Sequence, residues 1–343
     1  MTSTTQIRLI GYPDGEPGDD AYETTVEELP ELADGQLLLR TIYLSLDPYM
    51  RGRMSTAKSY AAAVPLGDVM IGATVCEVME SRSPKRAVGD VVLAYTGWQT
   101  HAVAEARHTR LLDPATAPVS TALGVLGMPG FTAYGGLLEI GRPQPGETVV
   151  VAAATGPVGS AVGQIAKVTG ARAVGIAGGP VKCRALLDDL GFDEAVDHRS
   201  PTFVDDLAAA TPDGVDVYFE NVGGPVAEAV VRRLNRFARV PVCGVIAYYN
   251  ATSAPEGPDQ LPGFMRRILT HSLTVRGFIQ DEFVPTHNEG FLRDMPAWIG
   301  DGSVRYLEEI VTGLENAPEA FRGLLRGDYL GKVLVRVGAD PTT

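Results

Sequence analysis

The chain has 343 residues, 45% of them hydrophobic, and its 42 acidic and 29 basic side chains give a formal net charge of −13. That length suffices for two domains with sizeable buried cores, and the composition is that of an ordinary globular protein, not a disordered one. The negative charge argues against nucleic acid or an anionic membrane as the main partner. No apolar run is long enough to span a bilayer. The first twenty residues lack a basic segment followed by an apolar core, so a secretory signal is not expected. Cys76, Cys183 and Cys243 are scattered and odd in number, which suits reduced thiols of a cytoplasmic protein.

In chain order, residues 6–112 read as short strands separated by glycine and proline turns, with QLLLRTIYLSL, IGATVCEVMES and VGDVVLAYTGWQTHAVA the clearest. A compact β-rich domain, partly closed into a barrel, is expected there. From Leu123 strands alternate with helices. TVVVAAA precedes SAVGQIAKVTG, and RAVGIAG precedes KCRALLDDLG; EAVDH, VDVYFENV, ARVPVCGVI and LTVRGFI continue the strand series. Such alternation implies parallel pairing and a doubly wound α/β sheet. Near the end, GKVLVRVG reads as one more strand, returning to the first domain. The expected domains are therefore 1–125 with 300–343, and 126–299. Residues 251–267, rich in proline and glycine, read as a mobile flap.

The segment 149–163, VVVAAATGPVGSAVG, carries the clearest chemistry. A β-branched strand breaks into Ala153-x-x-Gly156-x-x-Gly159, and a small-residue helix follows. A strand ending in a glycine turn brings main-chain N–H groups close to a pyrophosphate at the positive end of the next helix. Pro157 suits the first helical position, where its missing N–H costs little. Gly163 suits close packing of that helix against the sheet. The second strand ends in Gly178-Gly179-Pro180 with no carboxylate to repel a ribose 2′-phosphate, and Lys182 and Arg184 follow. This favours NADPH over NADH.

Asp47-Pro48-Tyr49-Met50-Arg51-Gly52-Arg53-Met54, Gly97-Trp98-Gln99, Gly130-Phe131-Thr132-Ala133-Tyr134 and AATGPVGSAVGQIAK occur in one order along the chain. Glu220-Asn221-Val222-Gly223-Gly224, Val242-Cys243-Gly244 with Tyr248-Tyr249-Asn250, Arg276-Gly277-Phe278 and Gly331-Lys332 follow them. The set resembles the zinc-independent medium-chain dehydrogenase/reductases, in the branch of the prostaglandin, leukotriene and curcumin reductases. The resemblance covers nearly the whole chain. It implies a GroES-like β-rich catalytic domain, a Rossmann domain, and NADPH-dependent reduction of the C=C bond of α,β-unsaturated ketones or aldehydes.

The resemblance assigns the cofactor to Thr132, to the loop Thr155, Gly156, Pro157, Val158 and Gly159, and to Gly178, Asn221, Cys243, Gly244 and Tyr249. Lys182 stands where relatives hold the 2′-phosphate with lysine, and His198 and Arg199 stand where relatives have a Tyr-Lys pair. Asp197 beside them adds an adverse charge. Phe278 is expected to cover the nicotinamide, and Tyr329 replaces an asparagine that touches it in relatives. Enone reduction needs hydride at the β-carbon, a donor to the enolate oxygen, and a proton at the α-carbon. A neutral phenol suits the second task. Tyr249 is the first choice, with Tyr49 second as a site-lining residue and proton relay; Tyr60 and Tyr248 are further substrate-side candidates. Arg51 and Arg53 read as solvated or structural.

Metal ligands are not expected. The segment where zinc-dependent relatives hold a His-Glu pair reads Leu66-Gly67-Asp68-Val69, and no close run of four cysteines is present. A zinc-free quinone oxidoreductase and a non-catalytic NADPH sensor are the alternatives to an enone reductase. The expected partners are a small-molecule substrate and, by resemblance, a second copy of the chain paired through the VRGFI edge strand.

Overall fold

The computed structural model of the protein describes residues 2–255 and 257–342. Glu256, which falls in the expected flap, and the two terminal residues lie outside the described residues. The chain divides into two compact units, Met1–Gly124 with Glu308–Thr343, and Val125–Leu307.

The first unit is β-rich. Strands β1 (Ser3–Leu9) and β2 (Tyr22–Glu28) form an antiparallel pair. The remaining strands are β3 (Gln36–Ser45), β4 (Thr74–Ser81), β5 (Val91–Ala94), β6 (His101–Glu105), β7 (Arg110–Leu111), β14 (Glu308–Thr312) and β15 (Lys332–Arg336). They join in the order β14-β15-β3-β4-β5-β7, with β6 also on β3. The ten-residue β3 is shared: its first half pairs with β6 and its last residues with β15. Register shifts between Leu38 and Leu39 and between Thr41 and Tyr43 let it bend between these partners. Trp98 centres the core, stacked on Tyr22 at 5.7 Å and edge-on to Phe321 at 5.9 Å.

β3 leads through Asp47 into the single-turn helix α1 (Tyr49–Gly52). Beneath it lies a buried ion pair. Lys332 Nζ donates to Asp47 Oδ1 at 2.8 Å and to the Leu46 carbonyl at 2.6 Å, and Ser45 Oγ donates to Asp47 Oδ2. Both charged residues are under 5% exposed. Arg51, also buried, donates to the Pro13 and Gly15 carbonyls and is thus structural.

The second unit is a parallel, Rossmann-like α/β domain. Its strands are β8 (Thr148–Ala152), β9 (Arg172–Ala177), β10 (Glu194–Asp197), β11 (Val215–Phe219), β12 (Leu234–Val242) and β13 (Thr274–Gly277), in the order β10-β9-β8-β11-β12-β13. All five pairings are parallel. Helices α2 (Met128–Gly135), α3 (Pro157–Val168), α4 (Pro180–Asp188), α5 (Phe203–Ala210), α6 (Gly224–Val231), α7 (Leu261–His271) and α8 (Val284–Gly300) belong to this unit, and α9 (Ala317–Arg326) to the first. β8 is buried throughout, as a central strand covered on both faces must be.

Three expectations need correction. The second half of the expected flap is ordered as α7, because Leu261, Phe264, Met265 and Ile268 recur at helical spacing. A strand absent from the sequence reading, β14, lies parallel to β15. Gly163 meets Phe192 rather than the sheet: a Cβ there would overlap the Phe192 ring.

The buried pair generates the first prediction. Lys332→Met leaves Asp47 charged and unpaired in the core, so unfolding free energy should fall by about 3–5 kcal/mol. Adding Asp47→Leu should recover much of the loss. Denaturant titration of the three variants measures both; a single variant as stable as the parent would show the pair to be energetically idle.

Candidate active site

Because every strand of the second unit runs the same way, the segments after their C-terminal ends emerge along one edge of its sheet. These are the loops Ala153–Gly156, Gly178–Gly179, His198–Arg199, Asn221–Gly223 and Cys243–Tyr249, followed by Phe278. Chain order reverses between β8 and its neighbours β9 and β11, and open α/β sheets bind ligands at such a switch point.

At that point β8 turns into α3. Ala153 has φ +51, a left-handed conformation uncommon for a residue with a Cβ. Gly156 caps α3 in an extended conformation without a side-chain cap, and Pro157 opens the helix. A Cβ at Gly159 would overlap the Ala153 carbonyl and lie 2.8 Å from Ala154 Cα. The close approach therefore requires glycine, and it leaves the first-turn N–H groups to an incoming anion. Thr155 is buried in the turn, and Val158 packs partly against the core.

A second cradle surrounds Gly178. A Cβ there would lie 2.8 Å from Arg199 Nε and 2.9 Å from His198 Nε2. Lys182 follows in the first turn of α4. The adverse charge of Asp197 is dealt with locally: its Oδ1 accepts the backbone N–H groups of Gly179 and Arg199, both at 2.8 Å. Although burial acts to raise it, these N–H donors and the nearby His198 and Arg199 hold the Asp197 carboxyl below its usual range. Burial, then Arg199, pushes His198 below its ordinary value, so near neutral pH it is a neutral ring beside a cation.

Loops on the other side of the switch are tied together by side-chain and main-chain hydrogen bonds. Asn221 Nδ2 donates to the Ala152 carbonyl at 2.8 Å. Glu220, which sequence reasoning placed only within a motif, organises the turn: it accepts N–H bonds from Val222 at 2.6 Å and Gly223 at 2.9 Å, and the Tyr218 hydroxyl at 2.9 Å. Burial raises its carboxyl all the same. The Cys243 N–H donates to the Glu220 carbonyl, and the Gly244 N–H does so at 3.2 Å. Burial, then Glu220, pushes the Cys243 thiol up to about 12, so this cysteine is not a nucleophile.

The Tyr249 hydroxyl lies over Gly244, 3.2 Å from where a Cβ would stand. The Tyr248 hydroxyl accepts the Gly224 N–H at 2.9 Å and so caps the start of α6. Thr132 Oγ1 donates to the Met128 carbonyl at 2.7 Å within α2. Phe278 departs from expectation. Its ring is buried, 5.3 Å from Phe283 and 6.1 Å from Phe219, above a Gly136 that has no room for a Cβ. Only its main chain is left for a ligand.

In the first unit Tyr49 is partly buried in the core around Trp98, and burial, then Asp47 and Tyr95, raises its hydroxyl above the usual value. It is thus a neutral hydrogen-bond donor throughout the physiological range. Tyr60 is 63% exposed beneath the Arg53 guanidinium. Tyr329 packs over Gly323 of α9.

Two glycine cradles, an uncapped helix start and clustered cations fit a phosphorylated dinucleotide. Among the described residues no group of three or more His, Cys, Asp and Glu side chains is placed to hold a metal ion. Nor is any described helix long and apolar enough to cross a membrane.

The first cradle sets a prediction. In Gly159→Ala the new methyl meets backbone, which cannot rotate aside, at a cost of roughly 1–3 kcal/mol. Dinucleotide affinity measured by titration calorimetry should fall about tenfold or more while circular dichroism stays native. Undiminished affinity would place the ligand elsewhere.

Two family descriptions match in tandem: "N-terminal domain of oxidoreductase" over residues 5–112 and "Zinc-binding dehydrogenase" over residues 157–289. The NADPH-dependent curcumin reductase of Escherichia coli K12 is 49% identical over 332 residues, covering 97% of this chain and 96% of that protein. Prostaglandin reductase 1 of Bos taurus is 39% identical, covering 97% and 98%. The crystal structure of CurA from Vibrio vulnificus in complex with NADPH superposes with a TM-score of 0.94 at 48% identity, covering 98% of this chain and all of that one. Relatedness of this degree over the whole length shows that the chain belongs to the zinc-independent medium-chain dehydrogenase/reductases, in their double-bond reductase branch.

Proposed function

We propose that this protein reduces the C=C bond of α,β-unsaturated ketones and aldehydes, with Tyr249 as the donor to the substrate oxygen. It is an NADPH-dependent oxidoreductase acting on small molecules. The observation that carries the finer reading is the Tyr249 hydroxyl set over Gly244, on the same sheet edge as the glycine turn and the cation cluster.

Thr155, Gly156, Pro157, Val158 and Gly159 hold the pyrophosphate, while Lys182 and Arg199, with neutral His198 beside them, hold the 2′-phosphate. Thr132, Asn221, Cys243, Gly244 and the main chain of Phe278 line the nicotinamide side. Bound NADPH supplies the hydride that is delivered to the β-carbon. Tyr249 donates a hydrogen bond to the carbonyl oxygen, and that bond strengthens as negative charge gathers there. Tyr49, held neutral, lines the substrate and relays a proton toward the α-carbon. Tyr60 and Tyr248 complete the substrate side.

The reaction is proposed to need no metal, in keeping with the family branch. Three free cysteines suit a reducing cytoplasm. A homodimer paired through β13, the exposed edge strand of the parallel sheet, completes the proposal.

Two experiments test it. With NADPH and an alkyl enone, Tyr249→Phe should lower kcat by about a hundredfold while NADPH affinity is retained. Unchanged turnover would remove Tyr249 from the mechanism, and wild-type turnover of a quinone alone would make the protein a quinone reductase. Lys182→Ala and Arg199→Ala should each weaken NADPH binding by about tenfold to a hundredfold, leaving NADH binding nearly unchanged. An equal loss for both cofactors would mean that these side chains do not meet the 2′-phosphate.

A further inference from the structure

Tyr248 and Tyr249 are neighbours in the chain, yet the fold sets their hydroxyls to different tasks. The loop that carries them hangs on the turn after β11 by successive main-chain bonds. The Glu220 carbonyl accepts the Cys243 N–H at 2.9 Å and the Gly244 N–H at 3.2 Å. The Asn221 carbonyl accepts the Ile246 N–H at 3.2 Å, and the Val222 carbonyl accepts the Ala247 N–H at 2.9 Å. Past that point the direction changes. The N–H groups of Tyr248, Tyr249 and Ala251 turn back to the carbonyls of Val245, Ile246 and Tyr248. These bonds shape the short helical turn Ile246–Tyr248 without tying it to the body of the domain.

The next tie is made by a side chain. The Tyr248 hydroxyl accepts the Gly224 N–H at 2.9 Å, at the first residue of α6. Gly223 precedes that helix and has no side chain to cap it, so a group from another loop supplies the acceptor. Two glycines allow the approach. Gly223 has φ +80 and Gly224 φ +58, and a Cβ on Gly223 would lie 2.7 Å from Tyr248 Cε2. The turn that receives the hydroxyl is itself braced, since the Glu220 carboxylate accepts the Val222 and Gly223 N–H groups. Tyr249 follows directly. Its hydroxyl and the Asn221 carbonyl stand 3.2 and 3.5 Å from one point, the place of a Cβ on Gly244. The phenol thus lies back over the root of its own loop, and its place depends on how the turn Ile246–Tyr248 is set.

We propose that Tyr248 is a positioning residue: its hydroxyl latches that turn to the start of α6 and so holds the Tyr249 phenol where the substrate oxygen will be. This task is separate from the substrate-side place of its ring, and it rests on Tyr249 being the donor in double-bond reduction. Preorganisation is the reason a latch matters. A donor already aimed at the developing charge needs no reorganisation during the reaction, and a misplacement of about 1 Å can cost up to about a hundredfold in rate. The pyrophosphate turn is built by Ala153, Gly156 and Gly159 without Tyr248, so cofactor binding should be spared.

Tyr248→Phe keeps the ring over Gly223 and removes only the hydroxyl. With NADPH and non-3-en-2-one, kcat should fall about tenfold while the Kd for NADPH, read by fluorescence titration, stays unchanged. In a Tyr249→Phe background the same change should cost nothing further, because a residue that acts through the Tyr249 hydroxyl is silent once that hydroxyl is gone. An unchanged kcat in the single variant, or a further loss in the double variant, overturns the latch. Hydrogen exchange supplies a readout without turnover: the Ala247 and Tyr249 amides should exchange about tenfold faster in Tyr248→Phe, with those of β8 unaffected. If the wild type reduces no enone, the reductase reading fails and the latch is judged by exchange alone. Unchanged exchange at both amides overturns it in either case.

Discussion

The second unit depends on how closely the start of α3 approaches the end of β8. Gly159 sits against the Ala153 carbonyl and Ala154 Cα, and Ala153 takes a left-handed conformation to turn the chain. With any side chain at Gly159 the helix start would back away, and the N–H groups of its first turn would no longer face the end of the strand. Other loops are registered to this point. Asn221 reaches the Ala152 carbonyl, and the Ala154 N–H donates to the Ile176 carbonyl of β9. One steric constraint at the central strand thereby sets the position of three successive loops, and the parallel sheet carries that setting outward to β10 and β12.

Charge follows geometry here. In a chain with a net charge of −13, affinity for a polyanion requires a local gathering of cations. Arg199 and His198 converge on Gly178, with Lys182 in the next helical turn. Asp197, one residue away, is turned into two backbone N–H groups. Its charge there stabilises the loop that presents the cations, so a residue adverse by sequence serves as a brace. The same economy holds at Glu220, whose carboxylate accepts the N–H groups of the turn next to Asn221.

Short-range signals were the legible ones. The glycine turn and the alternation of strands and helices depend on neighbours within a few residues, and the separated motifs carried the family. Tertiary context decided what was not legible. β14, with the sequence EEIVT, shows little apolar alternation and exists as a strand because β15 offers it a partner. Phe278 follows the last parallel strand, where a ligand cover is a natural reading, but the space left by Gly136 draws its ring inward. Nothing local in VVLAYTGWQT marks Tyr95 as exposed, since alternation gives only the face of a residue on a strand, and Tyr95 lies just beyond one.

The first unit contrasts a rigid base with an open rim. Tyr49 stands one turn above a buried Lys332–Asp47 pair that is itself held by Ser45 and the Leu46 carbonyl. A buried ion pair is a costly way to gain stability, because desolvation offsets most of the attraction. It is well suited to fixing geometry, since neither partner can leave the other without stranding a charge. The pair joins β15, from the far end of the sequence, to the turn that launches α1, so the direction in which Tyr49 emerges is set by strands and not by the following loop. Tyr60 and Tyr95, by contrast, are largely exposed. The Tyr49 hydroxyl is thereby placed by the folded core of the first unit, whatever conformation the exposed residues around it adopt.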